Sequence, residues 1–394
     1  MPPHSLADDL EDSALRNEMY GPRAVQPAAA ASPPAFVYRM TFSGDGREYF
    51  RIWVVNLTLT LVTLGIYSAY AKVRKTRYYW QNTRLEGMAF DYHGDPLAIL
   101  RGRILAVALL VIYSFGTSFS ATVGLASVTV LIAVAPWLFL RSQQFKLRNT
   151  SHRGLRFGFA GTARQAYARF LPLLLVWFAP TLLTLAADEV FAAAALAGFA
   201  SAVLFPLMHH ELKCFQHRHA TYGDRPFRFT AARGAFYLAY LMGSAIVIPV
   251  AMGMGAAVGV FVAATQSEGP PNTTYFFVFG AAFGVLAYLC VAPFLAARLQ
   301  KVVWERTSLP GVRFRTEISA ATLYALVFKN VGLTLLTLGL YWPFAAIAIA
   351  RYRVQAFSAV SEVPIDSIAA STQAAARAAA GEGAADLFGL DIGL

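Results

Sequence analysis

Polar side chains that could line a passage lie inside two long apolar runs, at the same spacing in each run. Each run carries an Asn and two Thr at i, i+4 and i+7, which lie on one face of a helix. The two sets are Asn56, Thr60 and Thr63, and Asn330, Thr334 and Thr337. Such a face can form a polar pathway, or it can join neighbouring helices through hydrogen bonds worth about 0.6–2 kcal/mol each.

Lys329 adds a charge to the second of these runs. An ionisable group at membrane depth is a functional hypothesis by default. The alternative is that the long side chain extends to a nearby interface and leaves its ammonium in water. The candidate polar pathway therefore consists of the two Asn/Thr sets and Lys329.

Nitrogen and sulfur ligands of the kind that Zn²⁺ prefers lie on one helical face at His210, Cys214 and His217. These are weak candidates, because no paired-cysteine motif and no HExxH motif accompanies them. No metal and no other cofactor is expected. A P-loop, a dinucleotide-binding glycine set and a nucleophile elbow are also missing from the sequence, so the chain is not expected to be an enzyme.

The elements that carry these residues must be membrane helices. Of the 394 residues, 57% are hydrophobic and only 14% are charged, against roughly a quarter charged in soluble domains. Nearly uncharged runs cover residues 104–140, 170–187, 190–208, 235–266 and 275–297. About 20 residues of helix cross a bilayer core, and backbone in that core must bond to itself. The expected fold is an all-α polytopic membrane protein.

The cations indicate an orientation. They cluster at residues 72–103, 141–169, 213–233, 298–315 and 351–353. The alternate connections near residues 118–122, 186–189 and 266–275 lack them. The positive-inside rule places the basic loops, and with them both termini, in the cytoplasm. The net charge of +11 then marks topology rather than nucleic-acid binding. The expected partners are the lipid bilayer and, at the basic loops, anionic lipid headgroups.

The first and last apolar segments are interrupted near Gly65 and Gly339, and Pro343 adds a second helix breaker. A helix over residues 51–64 would be about 21 Å long at roughly 1.5 Å per residue, too short to cross. The sequence therefore predicts six full transmembrane helices and two re-entrant hairpins. The alternative for these two segments is a pair of kinked full spans.

A turn motif recurs along the chain and divides it into units. Its members are Asn82, Thr83, Gly87 and Phe90, then Asn149, Thr150, Gly154 and Phe157, then Thr307, Gly311 and Phe314. Alternating residues beside each Gly predict short cytoplasmic β-strands joined by tight turns. Five hairpin units result, at 36–88, 89–155, 156–224, 225–312 and 313–360. A disordered tail over 1–35 and an Ala-rich tail over 361–394 flank this membrane domain.

The stretch from Leu64-Gly65-Ile66-Tyr67 through Ala71–Lys75 to Asn82–Gly87 and Phe90–Gly94 resembles the YjgN-type inner-membrane family, a domain of unknown function (number 898). The resemblance covers about residues 36–360 and leaves both tails outside. It implies a multi-pass protein of the bacterial inner membrane and brings no activity with it.

Two functions fit this organisation. The first is passage of a small solute, ion or lipid through a pseudo-symmetric helical bundle, because repeats across a membrane often build a symmetric site. The second is a non-transporting scaffold or sensor, whose basic collar binds a cytoplasmic partner or anionic headgroups. The sequence does not identify the solute or the oligomeric state.

Overall fold

The computed structural model describes residues 36–187, 190–265 and 273–367. The helices in these ranges are α1 (Gly46–Val62), α2 (Ser68–Gln81), α3 (Pro96–Phe119), α4 (Ala121–Arg148), α5 (Ala163–Ala186), α6 (Phe191–Arg218), α7 (Arg233–Thr265), α8 (Thr273–Trp304), α9 (Ala320–Leu336) and α10 (Trp342–Gln355). Helices α3 to α8 are the six that are long and apolar enough to cross a membrane. The predicted number of full-length helices is therefore confirmed for the described residues.

Short strands separate the helical hairpins. They are β1 (Phe36–Phe42), β2 (Thr83–Leu85), β3 (Met88–Tyr92), β4 (Thr150–His152), β5 (Leu155–Phe159), β6 (Ala220–Tyr222), β7 (Arg225–Pro226), β8 (Arg228–Phe229), β9 (Thr307–Leu309), β10 (Val312–Thr316) and β11 (Phe357–Ser361). The predicted short strands are present. The order strand, helix, helix, strand occurs five times along the chain, with β7 and β8 sharing the place of one strand.

All strand pairs are antiparallel, and neighbours in the sheet are neighbours in the chain. The last strand, β11, pairs with the first, β1, from Phe36 opposite Ser361 to Arg39 opposite Ser358. The two ends of the strand order, β7 and β8, are separated in the chain only by Phe227. β7 pairs with β6, and β8 pairs with β9. The sheet therefore forms a nearly barrel-like ring, which we call the strand ring. All-α was too narrow a fold class, since the ring joins the hairpins through the backbone.

The helices form a second ring on one end of the first. Each helix packs against its chain neighbours, and α10 packs against α1 to close the circle. In the three long hairpins the second helix is the more buried one. The buried share of the apolar window is 33% for α4 against 0% for α3, 17% for α6 against 6% for α5, and 11% for α8 against 0% for α7. The second helices thus lie inside and the first helices outside.

The motif Asn-Thr ends α2 and α4 and starts the strand that follows each of them, and Arg306-Thr307 takes its place after α8. The Asn82 and Asn149 side-chain amides donate to the carbonyls of Tyr78 and Phe145, at 2.9 and 2.8 Å. The hydroxyls of Thr83, Thr150 and Thr307 likewise donate to carbonyls four residues back in their helices. These bonds satisfy helix-end carbonyls that would otherwise lack partners.

The glycines of the motif form the tight turns between strands. Gly87, Gly154 and Gly311 have φ of 75°, 77° and 81°, a region that glycine enters without steric cost. In the first two turns the preceding residues, Glu86 and Arg153, are also left-handed, at 52° and 53°. Two left-handed residues make the type I′ turn that matches strand twist.

The first and last hairpins are interrupted at the predicted glycines. Helices α1 and α9 have 17 residues each, and α2 and α10 have 14 each. Leu64 and Leu338 are left-handed, and the following glycines donate to Thr60 and Thr334 carbonyls at 2.7 Å, a Schellman ending. Pro343 breaks no helix, because it lies in the first turn of α10, where proline is tolerated.

Both ends of every hairpin meet at the strand ring. In the first hairpin the Ser43 amide donates to the Asn82 carbonyl at 3.0 Å. Equivalent bonds of 2.7–2.9 Å tie His93 to Asn149, Ala160 to His219, Thr230 to Arg306 and Glu317 to Ala356. The short first and last hairpins therefore leave and return on the same face as the long ones.

Candidate functional site

The interior of the strand ring is aromatic. Phe90, Phe157, Phe227 and Phe314 occupy equivalent strand positions, and neighbouring rings stack with centroids 6.4, 6.5 and 6.2 Å apart. Met40 holds the fifth equivalent position, because it pairs with Leu85 as Phe90 pairs with His152. The predicted motif phenylalanines Phe90, Phe157 and Phe314 therefore form one row of stacked rings with Phe227 inside the strand ring.

His152 is the one histidine of this aromatic interior among the described residues. Its ring stacks on Phe90 with centroids 4.3 Å apart, and only 4% of the residue is exposed. Burial, helped by the charge of Arg153, lowers the pKa of His152 to about 4. The imidazole is therefore neutral near pH 7, and its buried Nε2 has no hydrogen-bond partner.

A cluster of cations lies where the inner helices end below the strand ring. Lys146 and Arg353 come three residues before the residue that ends their helix, and Lys213 comes six before. Three and six residues from one point lie on one helical face. Lys213 is half-buried, whereas Lys146 and Arg353 are exposed. We call these three residues the axial cations.

Amide side chains hold two of the three axial cations. Gln300 accepts from Nε of Arg353 at 2.9 Å and donates to the Thr316 hydroxyl at 3.3 Å. Lys213 donates to Gln216 at 3.2 Å. Gln300 is 9% exposed, so the guanidinium of Arg353 is positioned by a buried amide rather than by a carboxylate.

From the sequence, the axial cations served only as markers of orientation. Their equivalent positions before the helix ends were not recognised. Counted from the aligned helix ends at Asn149, His219, Arg306 and Ala356, polar residues recur at three and six positions before the end. They are Gln143, Lys146, Lys213, Gln216, Gln300 and Arg353.

The two Asn/Thr sets lie on α1 and α9, and α10 packs against both helices. The Thr60 and Thr334 hydroxyls donate to the Asn56 and Asn330 carbonyls of their own helices. Thr63 and Thr337 accept from the Tyr67 and Tyr341 amides at 2.9 and 3.0 Å. The threonines therefore shape the helix ends and turns. No hydrogen bond joins the two sets within the described ranges, and their pathway role stays a prediction.

The hydrogen bonds of the threonines do not account for the side chains of Asn56 and Asn330. They are 8% and 3% exposed, and Asn56 Oδ1 and Asn330 Nδ2 have no hydrogen-bond partner. An unsatisfied buried polar atom costs about 1–3 kcal/mol. Lys329 differs from its neighbour Asn330, because it is exposed on the outer side of α9.

His210 and His217 form hydrogen bonds within the protein, and Cys214 is buried. His210 bonds through Nε2 to the Ala231 carbonyl at 3.0 Å and through Nδ1 to Glu211 at 3.2 Å. His217 bonds to the Thr307 hydroxyl at 3.2 Å, and Cys214 is 3% exposed. The described part of the chain contains no group of three or more side chains placed to hold a metal ion.

Six membrane-length helices attached to a ring of short strands define the class: a polytopic helical membrane protein with a β-ring at one end. The chain belongs to the family described as "Bacterial protein of unknown function (DUF898)", whose model matches residues 37–387. The predicted resemblance is confirmed. The match continues past residue 360, so most of the tail that was expected to lie outside the family belongs to it.

Relatives include proteins named "Inner membrane protein YjgN". The one from Salmonella typhimurium is 34% identical over 143 residues, which cover 35% of this chain and 36% of the relative. Two from Escherichia coli are 26% and 27% identical over 146 residues, covering 35% of each chain. The aligned region thus spans about a third of each relative. No solved structure matches the chain.

Proposed function

We propose that this chain is a multi-pass protein of the bacterial inner membrane that passes a small solute along the axis of its helix ring. The observation that carries the proposal is the closed ring itself, in which the second helices of four hairpins, α4, α6, α8 and α10, carry polar or charged residues at equivalent positions before their ends. A scaffold needs no closed ring with an inward polar face, whereas a passage does. The relatives named as inner-membrane proteins support the location.

The same proposal includes the orientation and the repeat. Basic helix ends and exposed strand arginines lie together at the strand ring, which supports a cytoplasmic strand ring through the positive-inside rule. The five strand–helix–helix–strand segments are copies of one unit, and the first and last copies are re-entrant. Their helices of 17 and 14 residues reach about 25 and 21 Å, less than a hydrocarbon core of roughly 30 Å.

Flux across liposomes tests the passage without knowledge of the solute. Purified protein in liposomes is subjected to osmotic steps of a panel of sugars, amino acids and inorganic salts, and swelling is followed by light scattering. At least one solute is expected to swell these liposomes several-fold faster than protein-free ones. Asn56→Ala/Asn330→Ala is expected to change that rate, because both buried side chains carry unpartnered polar atoms.

The matched control is Thr129→Ala, which removes an exposed hydroxyl that bonds only to the Leu125 carbonyl of its own helix. Its swelling rate should equal that of the unmodified protein. Swelling at the protein-free rate for every solute in the panel would contradict the passage.

A second candidate function rests on the outer face of the strand ring. Exposed arginines alternate there with the inward aromatic residues, at Arg39, Arg84, Arg156, Arg228, Arg313 and Arg315. A basic belt beside a membrane attracts anionic headgroups with about 1 kcal/mol per cation. A scaffold role predicts that phosphatidylglycerol retained in native mass spectra decreases in Arg39→Gln/Arg313→Gln while solute flux is zero in both proteins.

A further inference from the structure

We propose that His210 and Glu211 of α6 form a proton-binding site, in which one proton is held between Nδ1 of the imidazole and the carboxylate. The ligand of this site is the proton itself. The site lies where the third hairpin of the ring meets the fourth, and it stands on its own hydrogen bonds. Its use by the passage of a solute would rest on the proposed function.

The first argument is that both ring nitrogens of His210 face oxygen atoms that accept hydrogen bonds. Nε2 lies 3.0 Å from the Ala231 carbonyl oxygen, and Nδ1 lies 3.2 Å from Oε1 of Glu211. A neutral imidazole has a single N–H and can donate to only one of these oxygens. Since Nε2 donates to the carbonyl, the contact between Nδ1 and Glu211 requires a second proton.

This arrangement distinguishes His210 from the other histidines of the described ranges. Nδ1 of His209 faces the Tyr240 hydroxyl at 2.8 Å, and Nδ1 of His217 faces the Thr307 hydroxyl at 3.2 Å. A hydroxyl can donate as well as accept, so these rings need only one proton. Within residues 36–187, 190–265 and 273–367, His210 is the one histidine with an acceptor-only oxygen at both ring nitrogens.

The charges around the site place the proton on the imidazole. Arg169 approaches Glu211 from α5 and Arg233 from α7, each at 3.2 Å, and Nε of Arg233 donates to Oε1 at 3.3 Å. Cations at this distance favour the ionised carboxylate. The remaining titratable pair packed beside the site is His209 with Tyr240 of α7, which bond to each other. The site therefore holds an imidazolium next to a carboxylate.

Burial makes the proton necessary for the contact. The side chains of His210 and Glu211 are only 8% and 12% exposed. The imidazole packs edge-on against Phe236 with centroids 5.2 Å apart, and Phe229 lies at 6.2 Å. Without the proton, two acceptors would face each other in a place where little water can satisfy them. The proton would leave Nδ1 for solvent past Glu211, and the contact would then break.

The partners of the site belong to two hairpins. His210 and Glu211 lie on α6, whereas Ala231 directly precedes α7 and Arg233 starts it. Among the ring neighbours of the six long helices, α6 and α7 pack least extensively against each other. Arg233 is 68% exposed, so solvent reaches the carboxylate side of the site. The proton therefore sits at a junction where few other contacts join the hairpins.

Nitrogen NMR of the full-length protein in detergent, with isotope-labelled histidine, tests the site. Near neutral pH both ring nitrogens of His210 are expected to show the protonated shift, while His209 shows one protonated nitrogen. The His210 signals are assigned by their loss in His210→Gln, whose amide can donate to the Ala231 carbonyl in place of Nε2. One unprotonated ring nitrogen on His210 would overturn the proposal without any variant.

Glu211→Gln tests whether the carboxylate holds the proton. The glutamine amide can donate to an unprotonated Nδ1, so His210 should bind its second proton roughly tenfold more weakly, as expected for loss of a hydrogen bond to a charged group. Unchanged His209 signals would show that α6 and α7 still pack in this variant. Undiminished double protonation of His210 in Glu211→Gln would contradict the site.

Tyr240→Phe is the matched control, because it removes the hydroxyl that bonds to His209 at the same junction and leaves Glu211 in place. His210 should keep both protons in this variant. An equal loss in Tyr240→Phe and Glu211→Gln would assign the effect to disturbed packing of α6 and α7 and overturn the site.

The proton site and the passage fail separately. A singly protonated His210 would remove the proton site even if liposomes swell with a solute of the panel. A doubly protonated His210 in a protein that passes no solute would leave the proton site standing and remove the passage.

Discussion

At the scale of single residues, two glycines of the last hairpin differ in what an alanine substitution would do. Gly339 has φ of 93° at the turn between α9 and α10, whereas Gly332 lies within α9. A Cβ added to either glycine would meet no atom within 4 Å. The difference between the two positions is therefore one of backbone conformation and not of space.

Gly339→Ala is expected to lower the free energy of unfolding by about 1–3 kcal/mol, because a side chain at this φ is strained. Gly332→Ala is its control and should be neutral or stabilising by up to about 1 kcal/mol, since Ala favours helix. Thermal midpoints in one detergent compare the two. A higher midpoint for Gly339→Ala would show that Gly339 does not form a left-handed turn between the end of α9 and the start of α10.

At the scale of elements, the segment after β11 packs into the interior of the strand ring. Ile365 is 8% exposed and packs in the ring interior with Tyr222 and Leu309. Its amide donates to the Tyr38 hydroxyl at 3.3 Å, and Asp366 pairs with Arg153, which also binds Glu86 at 2.7 Å. The sequence had assigned this segment to the tail, because six residues without periodicity give no packing signal.

Ile365→Ala should therefore destabilise the protein by about 2–5 kcal/mol, the range for deleting a buried aliphatic side chain and leaving a cavity. Val363→Ala, two residues earlier and 43% exposed, is the control and should cost much less. Thermal unfolding of both variants measures the difference. Equal midpoints would show that residues 362–367 do not pack into the strand ring in solution.

At the scale of the whole molecule, closure of both rings places the ends of all five hairpins on one face. The short hairpins therefore cannot reach as far as the long ones, whose helices have 24 to 33 residues. At roughly 1.5 Å per residue the long helices reach about 36–50 Å from the strand ring. The depth of the short-hairpin turns in the membrane therefore distinguishes a re-entrant hairpin from a kinked span.

Thiol labelling in cells is expected to reveal three compartments in a background that lacks Cys214 and Cys290. Met88→Cys at the strand ring should react only in inverted vesicles, and Ala121→Cys at the α3–α4 turn should react from the periplasm. Leu338→Cys, at a position that is 95% exposed, should react with an impermeant reagent from neither side if lipid covers it. Labelling of Leu338→Cys from the periplasm would make the last hairpin a full span.

The sequence by itself determined the local features, because each depends on a few neighbouring residues. Apolar runs of membrane length predict the six long helices. The spacing from Asn-Thr to Gly and Phe predicts the helix ends, the tight turns and the short strands. The glycines at 65 and 339 predict the interrupted hairpins.

Only the tertiary structure decided which residues meet. Pairing of β1 with β11 closes a ring between segments more than 300 residues apart, and no local pattern records such a contact. That closure places Lys146, Lys213 and Arg353, three separate topology signals in the sequence, on helices of one ring. Closure also brings α10 against α1, so that α10 packs against both helices that carry the Asn/Thr sets.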